Sequence, residues 1–161
     1  MLRKNPKSKK VAGGGTFAIV AARYNSRFVD AMLRAARTEL VRSGAKVQIV
    51  RVPGAYEIPI VAARLARHSS PPLAGVICLG VILRGATVHA AHIGDAVSRA
   101  LMDIQLATEV PVIHEVLLLE NADQARVRCL DRKHNRGTEA AQTALEMARV
   151  MAGLPGAARP F

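Results

Sequence analysis

Apolar residues, many of them β-branched, gather in four short runs along the chain: TFAIVAA (residues 16–22), KVQIVRV (46–52), AGVICLGVIL (74–83) and VPVIHEVLL (110–118). Each run is bounded by turn signals, which predicts a strand. Between the runs apolar positions recur every three to four residues. Val29, Met32, Leu33, Ala36 and Leu40 share one helical face, as do Ile93, Val97, Ala100, Leu101 and Ile104. After the fourth run, NADQARVRCL (121–130) and RGTEAAQTALEMARVMAG (136–153) predict two more helices. The second is striped by Ala141, Ala144, Leu145, Ala148 and Met151. Near-continuous apolar strands alternating with amphipathic helices imply an α/β architecture, a mostly parallel four-stranded sheet covered on both faces in a three-layer α/β/α sandwich. No internal repeat is evident.

With 161 residues, half of them apolar, the chain suits one domain with a sizeable core. Its formal charge of +11 by itself suggests anionic partners such as phosphates, nucleic acid or a membrane surface. The charge is uneven, however. Arg3, Lys4, Lys7, Lys9 and Lys10 lie in MLRKNPKSKK, which holds no acid and leads into Gly13-Gly14-Gly15; without them the charge is about +6. Residues 1–15 therefore read as a disordered, solubilising basic arm, with nucleic-acid contact or targeting as the alternative. Residues 16–154 read as a single α/β domain and 155–161 as a tail. Aromatic residues are only 3% of the chain and no nucleic-acid motif is present, so charge alone argues for such a partner and none is expected. Cys78 and Cys129 lack metal or redox spacing and read as reduced packing residues of a cytoplasmic protein. The run FAIVAA before Arg23 is too short for a signal-peptide core or a membrane span, so no membrane partner is expected.

In parallel α/β sheets ligands bind outside the carboxyl ends of the strands. Three turns follow predicted strands, RYN (23–25), PGAYE (53–57) and RGATVH (84–89), and all should open on one edge. Gly85 and Ala86 let the backbone approach a ligand, and N–H groups entering the next helix favour an anion, most naturally a phosphate. Thr87 adds a hydroxyl; the plainer reading is an ordinary turn with Thr87 as its N-cap. His89, with an ordinary pKa of about 6.5, suits proton transfer near neutrality unless it is simply solvated. His92 lies one turn later, and two histidines without a third ligand give no metal site. Pro53 and Gly54 make a turn and Glu57 begins a helix. Its acid can favour the helix dipole, worth about 0.3–1 kcal/mol, or accept hydrogen bonds from a polyol or an amine. Tyr24, one of two tyrosines, can stack on a planar ring or merely pack on the surface.

Taken together, IVAARYN, VPGAYEIP, GVILRGATVH, VPVIHEVLLLEN with QARVR after it, and NRGTEAAQTALEMA resemble the successive motifs of the lumazine synthase family, in order from about Phe17 to Ala152. The resemblance implies a flavodoxin-like fold and the penultimate step of riboflavin biosynthesis. In that step 5-amino-6-(D-ribitylamino)uracil condenses with 3,4-dihydroxy-2-butanone 4-phosphate to give 6,7-dimethyl-8-ribityllumazine, phosphate and water, without cofactor or metal. It further implies that Tyr24 stacks on the pyrimidine, that Ala55, Tyr56 and Glu57 line the ribitylaminouracil site, and that Val81, Ile82 and Leu83 border it. Ala86 and Thr87 would hold the butanone phosphate, and His89 would move protons. Arg128, with His114, would reach the site from a neighbouring subunit.

Some positions depart from the family pattern. Ala90 and Ala91 stand where an aromatic residue and an acid are usual, His114 replaces a phenylalanine, and Glu115 replaces a small residue. His134 stands where a glycine commonly precedes an Asn-Lys-Gly turn, here Asn135-Arg136-Gly137. The changes at Ala90, Ala91, His114 and Glu115 bear on rate and substrate fit more than on fold, whereas His134 stiffens the bend that assembly into a larger shell would require. Members of the family form pentamers, and some assemble twelve pentamers into an icosahedral shell. RCLDRKHNRGTEA carries no insertion of the kind seen in pentamer-only members, which leans towards the shell. Riboflavin synthase is a further expected partner. The rival expectations are a paralogue with altered substrate and a non-catalytic flavin- or lumazine-binding or storage protein of the same fold.

Overall fold

Residues 14–156 are described by the computed structural model. Within them run β1 (Thr16–Ala22), α1 (Ser26–Arg42), β2 (Lys46–Val52), a 3₁₀ turn (Ala55–Glu57), α2 (Ile58–His68), β3 (Gly75–Leu83), α3 (His89–Thr108), β4 (Val112–Leu119), α4 (Ala122–Cys129) and α5 (Arg136–Ala152). The strands form one sheet in the order β2-β1-β3-β4, and every pairing is parallel, which makes the expected mostly parallel sheet wholly so. The fourth strand starts at Val112 rather than Val110. Pro111 has no N–H to give the ladder, and only its carbonyl joins, accepting from the Val76 N–H at 2.8 Å.

Alternation along the strands sorts the core into two layers. Phe17, Ile19 and Ala21 of β1 meet Ile77 and Leu79 of β3 beneath α1, α4 and α5, where Val29, Met32, Leu40, Ala141, Ala144 and Leu145 close the layer. Ala18, Val20 and Ala22 turn the other way, with Val76 and Cys78, to pack under Ile58 and Ala62 of α2 and Val97, Leu101 and Ile104 of α3. The predicted helical faces are thus the ones that face the sheet. Cys78 and Cys129 are free and buried. Burial pushes both thiols up, that of Cys129 to about 11.

The α4–α5 corner rests on two residues. Asn135 caps α5, its Oδ1 accepting the Gly137 N–H at 2.8 Å, while its Nδ2 donates to the last carbonyl of α4, that of Cys129, at 2.6 Å. Gly137 then lies against α1 so closely that a Cβ there would stand 2.0 Å from the Met32 carbonyl oxygen. The Asn-x-Gly spacing is therefore a packing device. At the other end of the chain, residues 1–13, most of the expected arm, lie outside the described residues, as do 157–161. Gly14 and Gly15 are described, and the Gly15 carbonyl accepts from the Lys46 N–H at 3.1 Å. Among the described residues no helix is long and apolar enough to cross a membrane.

Candidate active site

The chain runs outward from β1 to β2, then crosses through α2 to β3 on the opposite side of β1. Strand order therefore reverses between β1 and β3, and the loops leaving their carboxyl ends diverge to opposite faces, opening a crevice. Asn25 bridges it. Its backbone is left-handed (φ 55°), a conformation asparagine tolerates, and its Nδ2 donates to the Val81 carbonyl at 2.7 Å. The preceding residues are tied to the neighbouring strand, Arg23 N–H to the Val52 carbonyl at 2.8 Å and Tyr24 N–H to the Pro53 carbonyl at 3.0 Å. Arg51 braces the same end. Its Nε and Nη2 donate to the Ala21 and Ala22 carbonyls at 3.2 and 3.1 Å, and its Nη1 lies 2.7 Å from Asp30. On this support the Tyr24 ring is held over Gly54, where a Cβ would come within 3.0 Å of it, yet the residue remains 73% exposed.

The PGAYE turn closes on itself. Glu57 Oε2 accepts the Gly54 N–H at 2.9 Å, so one carboxylate oxygen serves the turn and Oε1 is left for another donor. The two readings of Glu57 are thus compatible. Ala55 lies beside Gly80 of β3, and Tyr56 stands out exposed. Val81 is buried in the layer beneath α1 and α5, so its carbonyl is the atom it brings to the crevice. Ile82 and Leu83 are half-buried on opposite faces of the sheet end.

In the RGATVH turn, Ala86, Thr87 and His89 are all exposed. Arg84 anchors the turn to the end of β4, its N–H donating to the Leu119 carbonyl at 2.8 Å and its Nη1 to Glu120 at 2.8 Å. A Cβ on Gly85 would meet nothing within 4 Å, so the fold of this chain does not itself demand a glycine there. His89 is the first residue of α3, and its N–H reaches Thr87 Oγ1 only at a long 3.4 Å. The helix begins with no side-chain cap and no acid in its first turn. Unanswered N–H groups and the positive end of the helix dipole thus stand open beside Thr87, a setting for an anion. Ala90 is buried and Ala91 half-buried at the same helix start. Among the described residues no group of three or more potential ligands could hold a metal ion, and His92 adds none to His89.

Arg128 and His114 lie elsewhere. Together with Glu115 and Arg136 they line an open cleft of about 780 Å³ along β4 and α4, whose lining includes no residue of the three strand-end turns. His114 Nδ1 accepts the Val116 N–H at 3.1 Å, which leaves Nε2 to donate to Ser98 Oγ at 2.7 Å; Ser98 in turn donates to the Gly94 carbonyl at 2.8 Å. Burial lowers its pKa, in keeping with this neutral tautomer. Glu115 is buried (6% exposed) and takes both arms of the Arg136 guanidinium, Nε to Oε2 at 3.0 Å and Nη2 to Oε1 at 3.1 Å.

One chain thus gathers Tyr24, Ala55, Glu57, Ile82, Ala86, Thr87 and His89 at one sheet edge and sets Arg128 and His114 on a separate surface. Asn25, Arg51 and Arg136, all structurally engaged here, are absent from the candidates read in the sequence. A left-handed asparagine leaves little local trace, whereas a glutamate inside the apolar run VPVIHEVLL is a signal that could have pointed to a cation meeting it.

Relatives place this geometry. The sequence profile of the family described as 6,7-dimethyl-8-ribityllumazine synthase matches residues 14–152. Proteins of that name are similar over nearly their whole length. The one from Stenotrophomonas maltophilia (strain R551-3) is 41% identical over 142 residues, covering 86% of this chain and 90% of its own. That of Desulfotalea psychrophila is 43% identical over 146 residues, covering 89% and 93%, and that of Xanthomonas campestris pv. campestris (strain B100) is 40% identical over 142, covering 86% and 91%. With a match spanning every strand and helix from β1 to α5, the chain belongs to the 6,7-dimethyl-8-ribityllumazine synthase family.

Proposed function

We propose that this protein condenses 5-amino-6-(D-ribitylamino)uracil with 3,4-dihydroxy-2-butanone 4-phosphate to give 6,7-dimethyl-8-ribityllumazine. The observation that carries the reading is the RGATVH turn, which delivers an uncapped helix N-terminus, an exposed threonine hydroxyl and an exposed histidine to the strand-order reversal of a chain of this family. The primary amine of the uracil attacks the butanone carbonyl, and an imine forms with loss of water. Phosphate is then eliminated, and the ribityl-bearing nitrogen closes the second ring with loss of a second water. Ala86, Thr87 and the start of α3 hold the phosphate. Tyr24 stacks on the pyrimidine, with Ala55, Tyr56, Glu57 and the 81–83 strand end around the ribitylaminouracil.

Holding two reactants in register can supply about 7–11 kcal/mol of the barrier. His89, at the mouth of the phosphate turn, moves protons in the imine, elimination and ring-closing steps. Because water can substitute for it, His89→Ala is expected to lower kcat by about tenfold to a few hundredfold. Complete loss of turnover in a folded variant would show that the histidine does more than shuttle protons. The reaction itself is tested by mixing pure protein with both substrates and following lumazine absorbance and fluorescence. No acceleration over the uncatalysed condensation would overturn the reading. The same assay separates the enzyme from a non-catalytic carrier of the same fold, for which no observation here speaks.

The site is completed between subunits. Arg128 and His114 line a cleft whose lining includes no residue of the phosphate turn of their own chain, which supports a site to which the partner subunit's Arg128 and the partner subunit's His114 contribute. Apolar side chains left bare support such assembly, among them Ile60 (74% exposed), Val88 (68%) and Leu106 (69%). Light scattering is expected to give a mass that is a multiple of five 17.2-kDa chains. The short α4–α5 connection favours twelve pentamers in a shell, and a monomer at every concentration would overturn the shared site. The protein works in the cytoplasm, in keeping with its free cysteines, and riboflavin synthase is the partner that consumes its product.

A further inference from the structure

The cleft along β4 holds two arginines in contrasting states. Arg136 is committed: two donors go to Glu115, and its Nη1 donates to Glu139 at 2.7 Å. Arg128 is exposed, and among the described residues it has no carboxylate within ion-pair distance. Glu115 stands between them. It occupies a core-facing position of β4, in the alternation that turns Ile113, Leu117 and Leu119 to the same layer. Carboxylates at such positions are costly unless paired. Burial pushes its carboxyl up, while the charges of Arg136 and Arg128 pull it down. Its charge therefore reaches Arg128 as well as the arginine it grips.

We propose that Glu115 is a specificity-determining residue for phosphate. By holding Arg136 in a two-pronged grip seconded by Glu139, it removes from anion binding one of the two arginines that line the cleft and leaves the other, Arg128, to meet the butanone phosphate. The proposal rests on the reading that Arg128 receives that phosphate. Its physical content is a balance. A doubly cationic cleft would bind the substrate's phosphate ester more tightly, but it would equally retain the inorganic phosphate that each turnover releases. A cleft with one arginine neutralised releases the product while Arg128 still orients the ester. Interactions that favour bound substrate and bound product alike add nothing to the chemical step.

The test is inorganic phosphate binding to the assembled protein by calorimetry, at two salt concentrations, alongside KM for the butanone phosphate and kcat. Glu115→Gln is expected to tighten phosphate binding and lower KM by about three- to thirtyfold, with kcat falling as phosphate release slows. Glu139→Gln, at a half-buried position on the first turn of α5, should shift both in the same direction by about two- to fivefold, the smaller effect of a more screened charge. Glu115→Asp, which keeps the charge, should stay close to the parent protein in phosphate affinity. The double change Glu115→Gln with Arg136→Met, removing both charges, should restore it. Phosphate affinity unchanged or weakened in Glu115→Gln and Glu139→Gln, with Arg128→Ala abolishing binding, would overturn the proposal while leaving the reading of Arg128 intact. Phosphate affinity unchanged in Arg128→Ala would overturn both, because the phosphate would then not meet Arg128 at all. Lumazine formation by the parent protein is read separately and does not depend on either result.

Discussion

Replacing Arg128 by alanine is expected to cut kcat/KM for the butanone phosphate by about a hundred- to a thousandfold, the usual cost of removing one well-placed donor from a developing anion. The fold should not notice. Arg128 is exposed on α4, and its neighbours Ala125 and Cys129, not its own side chain, seat the helix on the core. On the proposed reading the loss is catalytic, because the guanidinium would offer a planar fork to the phosphate until that group is eliminated. It should appear in KM and in turnover. Arg128→Lys keeps the charge without the fork and should be milder. Steady-state kinetics with both substrates checks this, and unchanged parameters would refute the role. Mixed assembly gives a second reading. If the partner subunit's Arg128 serves each site, refolding Arg128→Ala chains together with His89→Ala chains creates some interfaces with both residues intact. Activity should then rise above that of either variant alone.

The second large effect is structural. Gly137→Ala is expected to destabilise the protein by about 3 kcal/mol, near the upper end of ordinary overpacking. The added Cβ would sit 2.0 Å from the Met32 carbonyl oxygen and 2.6 Å from its carbon, atoms of a helix backbone that cannot swing aside. The first turn of α5 would have to lift from α1, and Arg136, one residue away, would be drawn off Glu115. A fall in Tm of roughly 6–12 °C should follow, together with altered phosphate affinity. Gly85→Ala is the matched control. It meets open space in the chain and should leave stability within about 0.5 kcal/mol of the parent. A stable Gly137→Ala protein would show that the two helices have slack that the packing does not suggest.

What could be read from the residues and what could not divides along a physical line. Strand runs and helical stripes are local, and they fell where expected to within two residues because burial imposes the period of each element on its own sequence. The common edge of the turns after 22, 52 and 83 was also legible, since parallel strands place all their carboxyl ends together. Pairings that depend on register between distant segments were not. Asn25 meets Val81, 56 residues on, and Glu115 meets Arg136, 21 residues on. Neither polar side chain names its partner, and in the sequence Glu115 reads only as a departure from the family pattern. The choice between a helix-dipole and a ligand-binding Glu57 likewise needed the turn itself, where one oxygen is found on the Gly54 N–H and the other is not. Thr87 is not the N-cap, a position that falls to Val88, and with no side-chain cap the start of α3 is less satisfied than an ordinary capped turn would have made it.

Asn135 sets the distance between α4 and α5 with a single carboxamide, one end on Cys129 and the other on Gly137. The five residues from 130 to 134 therefore do not measure the gap they cross. Leu130 packs against the core, whereas the exposed residues 131–134 can be rewritten while Arg128 on one helix and Arg136 on the other stay where they are. Only the asparagine is denied that liberty: aspartate has no N–H to give Cys129, and serine has too short a reach to serve both helices.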